Sequence, residues 1–298
     1  MRYPPGVQIP HLSGERINVR GTFMAELEFW YHLPVTQSID YIFKCALKAA
    51  EIGFDVISHQ DHFLVPGEER GCRPECWTML TAIAVRTNVK VAPLVMCSLF
   101  RNPALVAKIV TTLDQLTKGR VYLGIGAGWW KEEFEAYGYP WEPPKVRVDK
   151  TLEALKIIKA LWTKEEVNFE GKFWRLVKCR LEPRPYQKPH PPIISGGGKE
   201  RMLRITARYC DGWMPSIKSV EEYKQRKEYI ERYLKEPEKF AFGNVINVWY
   251  DRDSPQDIIR RIESFAEIGV KSFAIFMHPQ SKNFEMLDKY SKVLEYFK

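Results

Sequence analysis

Four short stretches of the chain combine residue types that can do chemistry. Ser58-His59-Gln60-Asp61-His62-Phe63 brings two imidazoles and a carboxyl together, and imidazoles exchange protons near neutral pH, so His59, Asp61 and His62 are candidates for proton transfer. Gly124-Ile125-Gly126-Ala127-Gly128-Trp129-Trp130 removes side chains at alternate positions, which in an extended segment bares one face of the backbone to a flat ring. One of Trp129 and Trp130 is expected in the pocket, although both could equally be core residues. Ser195-Gly196-Gly197-Gly198-Lys199-Glu200-Arg201 sets three glycines before a helical pattern, so free N–H groups and the positive end of the helix dipole face an anion. Arg201 falls in the first turn of that helix, the place for a cation beside the same anion. Finally, Pro93 interrupts the apolar run Val89–Val95, where its missing N–H predicts a bulge. A bulge flanked by Leu94 and Met96 would bring main chain against a planar ligand.

A metal site is the rival reading of the histidine segment, because His59, His62, Cys72 and Cys76 are all ligand types. The Cys72-x₃-Cys76 spacing is not a common zinc pattern and no second paired half exists, so no metal is assigned. The glycine run at 124–128 is equally poor as a dinucleotide motif, since no helix opens directly from it with a spaced acid downstream.

The elements that must position these residues follow from repeated punctuation. Ala50-Glu51-Ile52-Gly53, Leu116-Thr117-Lys118-Gly119 and Ala266-Glu267-Ile268-Gly269 each end a helical pattern at a glycine suited to the left-handed C′ position, and an apolar run follows at once. Such turns mean strands alternating with helices, hence a parallel sheet. The predicted strands are Val7–Pro10, Phe54–Ser58, Val89–Val95, Arg120–Ile125, Pro192–Ser195, Gly212–Met214, Phe240–Val248 and Lys271–Phe276. Helices are predicted at Ser38–Ile52, Glu75–Arg86, Pro103–Thr117, Val146–Trp162, Lys199–Tyr209, Val220–Leu234, Pro255–Ile268 and Phe284–Tyr296. Eight units favour an α/β fold of the (β/α)₈ TIM-barrel type, one domain over residues 1–298, and in such a barrel the site lies at the C-terminal ends of the strands. Two insertions break the rhythm. One spans 11–35 after the first strand and contains a further β-like run, Met24–Tyr31. The other spans 163–191 before the fifth strand; its length suggests a lid or binding element, and its proline-rich end reads as extended.

Composition narrows the function classes. The chain has 298 residues, of which 45% are hydrophobic and 28% charged, ordinary values for a globular protein with a sizeable core. No apolar run is long enough to span a membrane and no secretory signal pattern opens the chain, so a cytoplasmic location is expected. Six cysteines are too few for a disulfide scaffold. The net charge of +8 is spread along the chain, without a basic tail or nucleic-acid motif, so no nucleic-acid partner is expected.

The stretches AAEIGFDVISHQDHF, FRNPALVAKIVTTLDQLTKGRVYLGIGAGWWKEEFEAYGYP, LEPRPYQKPHPPIISGGGKERMLRITARYCDGW and AEIGVKSFAIF resemble the bacterial luciferase-like superfamily, especially its F420- and FMN-dependent branches. The resemblance implies a barrel, usually a homodimer, binding F420 or alternatively FMN, acting on a small molecule and sometimes served by a separate flavin or F420 reductase. It implies a non-prolyl cis peptide, by position at Pro93–Leu94, behind the ring, with Asp61 touching the ring and His62 beside the reacting carbon. The sugar-phosphate branch carries a glutamate where this chain has Trp129 and a tryptophan where it has Pro66, so a sugar phosphate does not follow from the resemblance. The leading expectation is an F420-dependent oxidoreductase that passes a hydride between the deazaflavin and a small organic substrate. Three further readings stay open: an FMN-dependent monooxygenase using reduced flavin and O₂, a flavin-binding protein without turnover, and a zinc-dependent barrel hydrolase.

Overall fold

The computed structural model describes residues 16–17, 23–24, 27–35, 37–65 and 73–298. The predicted alternation appears as β1 (Glu28–His32), α1 (Ile39–Glu51), β2 (Val56–His59), α2 (Cys76–Ala84), β3 (Lys90–Pro93), α3 (Pro103–Thr117), β4 (Leu123–Gly126) and α4 (Pro144–Thr163). It continues as β5 (Ile193–Ser195), α5 (Glu200–Tyr209), β6 (Gly212–Trp213), α6 (Val220–Glu231), β7 (Ala241–Trp249), α7 (Pro255–Ala266), β8 (Ser272–His278) and α8 (Asn283–Phe297). The turn glycines behave as expected: Gly53, Gly119 and Gly269 have φ of 98°, 93° and 87°. Side-chain caps from Ser38, Asn102, Ser219 and Ser254 start four of the helices.

All strand pairings in the main sheet are parallel, in the order β3-β2-β1-β8-β7-β6-β5-β4 and then back to β3. The return is made by a second piece of β3, Met96–Cys97, which pairs with β4 while Lys90–Pro93 pairs with β2. The barrel therefore closes across an interrupted strand. Below the break, the Val91 amide donates to the Arg120 carbonyl and the Tyr122 amide to Val91, which seals the seam.

The first strand differs from expectation. Val7–Pro10 lies outside the described residues, and the barrel's first strand is the run Glu28–His32 inside the supposed insertion. Alternation explains it: Phe29 and Tyr31 face the helices, while Trp30 joins Val56, Ala92, Ile194, Met214 and Ala274 inside the barrel. At the lower end, Glu28 accepts from Trp30 Nε1 (2.7 Å), Lys90 Nζ (2.7 Å) and Tyr122 Oη (2.9 Å), and Trp30 stacks on Tyr122 at 5.2 Å. That cluster plugs the barrel floor.

The segment 163–191 is not a lid on the main cavity. It holds an antiparallel hairpin, Val167–Glu170 with Arg175–Cys179, whose turn amides at Lys172 and Phe173 donate to Glu153 on α4. Its proline-rich end is fixed by Gln187, which bonds Asp114 and the Val121 carbonyl. A short helix absent from the sequence reading, Lys131–Ala136, follows β4. Among the described residues no helix is long and apolar enough to cross a membrane.

The seam yields a stability test. A Cβ on Gly124 would overlap the Pro93 carbonyl oxygen, a backbone atom that cannot swing away. Gly124→Ala should lower stability by about 3 kcal/mol, the upper part of the usual overpacking cost, measured as a shifted urea midpoint. A wild-type midpoint in the variant would mean that the seam is not packed as described.

Candidate active site

The barrel mouth holds a cavity of about 390 Å³, within the range of small-molecule sites. Its wall along β3 and β4 is the break itself: Leu94, Val95, Met96 and Cys97, with Gly126 and Gly128 beyond. The cis peptide joins Leu94 to Val95, one bond later than the Pro93–Leu94 position the resemblance implied. Pro93 still pairs within β3, opposite His59, and is not among the cavity-lining residues.

The glycines of β4 act differently from the expectation of a bare slot for a ring. Cβ atoms on Gly124 and Gly126 would press on Val95 at 3.2 and 2.9 Å, and one on Gly196 would meet Val95 at 3.3 Å. These glycines therefore receive the Val95 side chain from behind. The surface left to a flat ligand is the Leu94–Val95–Met96 turn they support. Gly128, at φ 71°, lets the chain turn against Cys97 and Phe134.

Asp61 holds this turn. Its carboxylate accepts from the Cys97 amide (2.9 Å) and, bidentately, from Arg101 (2.7 and 2.8 Å), and Arg101 reaches on to Glu75 (2.6 Å). Burial pushes the Asp61 carboxyl upward, against the pull of the guanidinium and the amide. Both oxygens are thus occupied by the scaffold, and Asp61 is a positioning residue at the cavity wall rather than a free acid or base.

His62 is a half-buried polar group of the cavity wall. Its Nδ1 lies 2.8 Å from Glu133, a carboxylate only 1% exposed that also accepts from the amides of Phe63 (2.6 Å) and Leu64 (3.1 Å). Because an ionised carboxylate only accepts, Nδ1 donates to Glu133, which leaves Nε2 to face a bound molecule. Burial alone would raise Glu133; His62 and the two amides outweigh it, and the carboxyl lies below its ordinary value near 4.5. The Trp129 ring meets His62 edge-on at 5.6 Å and stacks with Trp130 at 5.8 Å, with Trp129 63% exposed at the rim.

His59 points the other way. Its Nε2 bonds the Pro74 carbonyl at 3.2 Å, and burial pulls the ring down to about 4. The Cys76 thiol donates to the His59 carbonyl, and Cys72 lies outside the described residues. Among the described residues no three His, Cys, Asp or Glu side chains converge as metal ligands.

The glycine cradle after β5 shares the rim, since Gly196 abuts Val95. Helix α5 begins at Lys199 without a side-chain cap, and Ser195 Oγ accepts from the Gly197 amide at 3.3 Å. Trp213 Nε1 donates to the Gly197 carbonyl (2.8 Å), which fixes the loop. Arg201 turns away to Asp149 and the Lys145 carbonyl on α4. The arginine at the cradle is instead Arg226 of α6, whose Nη1 would stand 2.5 Å from a Cβ on Gly198.

Sequence reasoning missed Glu133, Arg101 and Arg226, as well as His32, Ser216, Asn247 and Phe276, which complete the cavity wall. Glu133 lies in the short helix Lys131–Ala136 just after the tryptophans, a segment too polar to suggest burial.

A model of the luciferase-like monooxygenase family matches residues 19–292. The chain is 35% identical over 216 residues to the F420-dependent glucose-6-phosphate dehydrogenase of Amycolatopsis mediterranei strain U-32, covering 70% of this chain and 64% of that one. It is 33% identical over 223 residues to the FMNH(2)-dependent dimethylsulfone monooxygenase of Pseudomonas putida, covering 74% of this chain and 58% of the other. The match thus spans under two thirds of either relative. Among solved structures, an F420-dependent secondary alcohol dehydrogenase in complex with an F420-acetone adduct superposes with a TM-score of 0.81 at 21% identity, over 92% of this chain and all of the other. With the interrupted third strand, the supported turn and the glycine cradle in place, the chain belongs to the luciferase-like monooxygenase family.

Proposed function

We propose that the protein is an F420-dependent oxidoreductase acting on a small organic substrate. The observation that carries this reading is the His62–Glu133 pair: a buried carboxylate fixes the tautomer of an imidazole at the cavity wall. Hydride exchange between a C–H and a deazaflavin needs a partner for the proton on the substrate oxygen, and an oriented imidazole is suited to that. When bound, the deazaflavin supplies the two-electron hydride acceptor or donor.

The residues present suit such a group. The Leu94–Met96 turn gives a flat surface, and the cradle amides with Arg226 suit the phosphate of its side chain. In the oxidising direction His62 Nε2 takes the hydroxyl proton, Glu133 stabilises the imidazolium, and Trp129 shields the space from water. In the reducing direction the same imidazolium returns the proton. The second reading, a flavin monooxygenase using reduced FMN and O₂, is favoured by the identity to the FMNH(2)-dependent relative.

Titration of the purified protein with F420 and with FMN, each followed by fluorescence, separates the two; tight FMN binding with no F420 binding would sink the first. His62→Ala should keep cofactor affinity while turnover falls by about 10²- to 10⁴-fold, the usual worth of general acid–base catalysis. Unchanged turnover would remove the proton-transfer role.

Arg226→Ala should weaken phosphorylated ligands by about 10- to 100-fold, as for a charge-assisted contact, and leave riboflavin and the phosphate-free deazaflavin unchanged. Equal losses for both kinds of ligand would show that Arg226 does not meet the phosphate.

Glu133 gives a pH test. Its carboxyl is lowered on folding, so its stabilisation is fully present above pH 4.5 and is lost as pH falls through the lower folded value. Glu133→Gln should therefore be less stable than the parent at pH 7, with the gap closing on acidification, as measured by urea denaturation. A gap independent of pH would contradict an ionised Glu133.

A further inference from the structure

A second imidazole faces the same cavity from the far wall. His32 ends β1 and lines the cavity beside Phe276 of β8, the two rings meeting edge-on at 5.1 Å. Its Nδ1 lies 2.9 Å from Ser58 Oγ, and that hydroxyl donates its own proton to the Tyr31 carbonyl at 3.3 Å. With that proton donated to Tyr31, Ser58 accepts from His32, and this arrangement, which satisfies both contacts, assigns the proton to Nδ1 and the lone pair to Nε2. Nε2 has no partner among the described residues, and it is not among the sealed, unpartnered polar atoms of the core. It opens on the cavity. Burial pulls the ring down to about 3, with the cationic forms of neighbouring His59, Arg73 and His62 acting in the same direction, so it stays neutral in physiological conditions.

The wall it belongs to matters. The supported turn and Gly126 occupy the β3–β4 side, and the cradle follows β5. His32, Phe276, Val245 and Asn247 form the β1–β8–β7 side. On that wall Asn247 is tied down at Oδ1 by His278 Nε2 (3.1 Å) and at Nδ2 by Ser216 Oγ (3.3 Å), whereas His32 Nε2 has no partner among the described residues.

Resting on the oxidoreductase reading, we propose that His32 selects the substrate: the cavity takes a neutral molecule with an apolar body and a second, non-reacting hydroxyl or N–H group, which donates to His32 Nε2. A fixed, uncharged lone pair turns away a carboxylate, a phosphate or an ether oxygen, because none has a proton to give. His62 then meets the reacting oxygen, and the two imidazoles together set how the substrate lies across the ring.

The test compares cyclohexane-1,4-diol with 4-methoxycyclohexanol, each measured by ligand-observed NMR with and without F420. The parent should prefer the diol, and His32→Phe should weaken the diol about 3- to 10-fold, the worth of one neutral hydrogen bond, while the ether is unchanged. His32→Gln, which restores an acceptor, should keep part of the preference and guards against a folding defect in the phenylalanine variant. F420 and FMN affinities should be unmoved in both. No diol preference in the parent, or binding of neither probe, overturns the proposal. Weakened cofactor with an intact diol preference also overturns it, since His32 would then serve the ring's own N–H. Failure of the oxidoreductase reading looks different: neither F420 nor FMN binds, while the diol preference remains measurable without cofactor.

Discussion

The structure depends on one steric constraint: two backbones must come close where the barrel closes. The third strand breaks after Pro93 and resumes at Met96, and each piece pairs with a different neighbour. That is possible only if β4 has no side chain at Gly124, where the Pro93 carbonyl sits, and none at Gly126, where Val95 sits. Asp61 and Arg101 then hold the resumed strand from the β2 side through the Cys97 amide. Closure of the fold and the shape of the cavity wall are thus the same event. A mutation that loosens the seam would be felt by a ligand before it was felt by the helices outside.

Around that seam the polar groups divide into those consumed by the scaffold and those left for a guest. Asp61, Arg101 and Glu75 are consumed by one another, and His59 is sealed in the core, its Nε2 on the Pro74 carbonyl and its Nδ1 buried without a partner among the described residues. His62 and His32 each spend one nitrogen on the scaffold and keep the other. The environment makes them unequal, since one leans on a carboxylate and the other on a hydroxyl. A buried carboxylate holds the His62 ring at Nδ1, whereas burial keeps the His32 ring neutral. Chemistry and recognition can therefore be separated between two residues of the same type.

The alternation of elements was readable because helix-ending glycines and apolar runs are local signals, and α3 begins and ends at its predicted residues, Pro103 and Thr117. The first strand was misassigned because two β-like runs competed near the N-terminus, and nothing local tells which one finds partners in β8 and β2. The glycines at 124 and 126 were recognised as unusual, but their neighbour was taken to be a ligand when it is Val95, thirty residues away in sequence. Arg201 is near the glycines along the chain, yet the folded helix turns it toward Asp149, and the cradle meets Arg226 from α6 instead. Glu133 was invisible for a related reason: its type reads as surface, and only the tertiary fold buries it against His62.

The plugged floor has its own consequence. Glu28, Lys90, Trp30 and Tyr122 stop the lower end of the barrel, which makes the site a blind chamber with its described opening at the rim beside Trp129. In a blind chamber the innermost occupant must arrive before the outer one and depart after it. For two guests stacked along the barrel axis, the order of entry and exit would then be set by the architecture rather than by how tightly either is held.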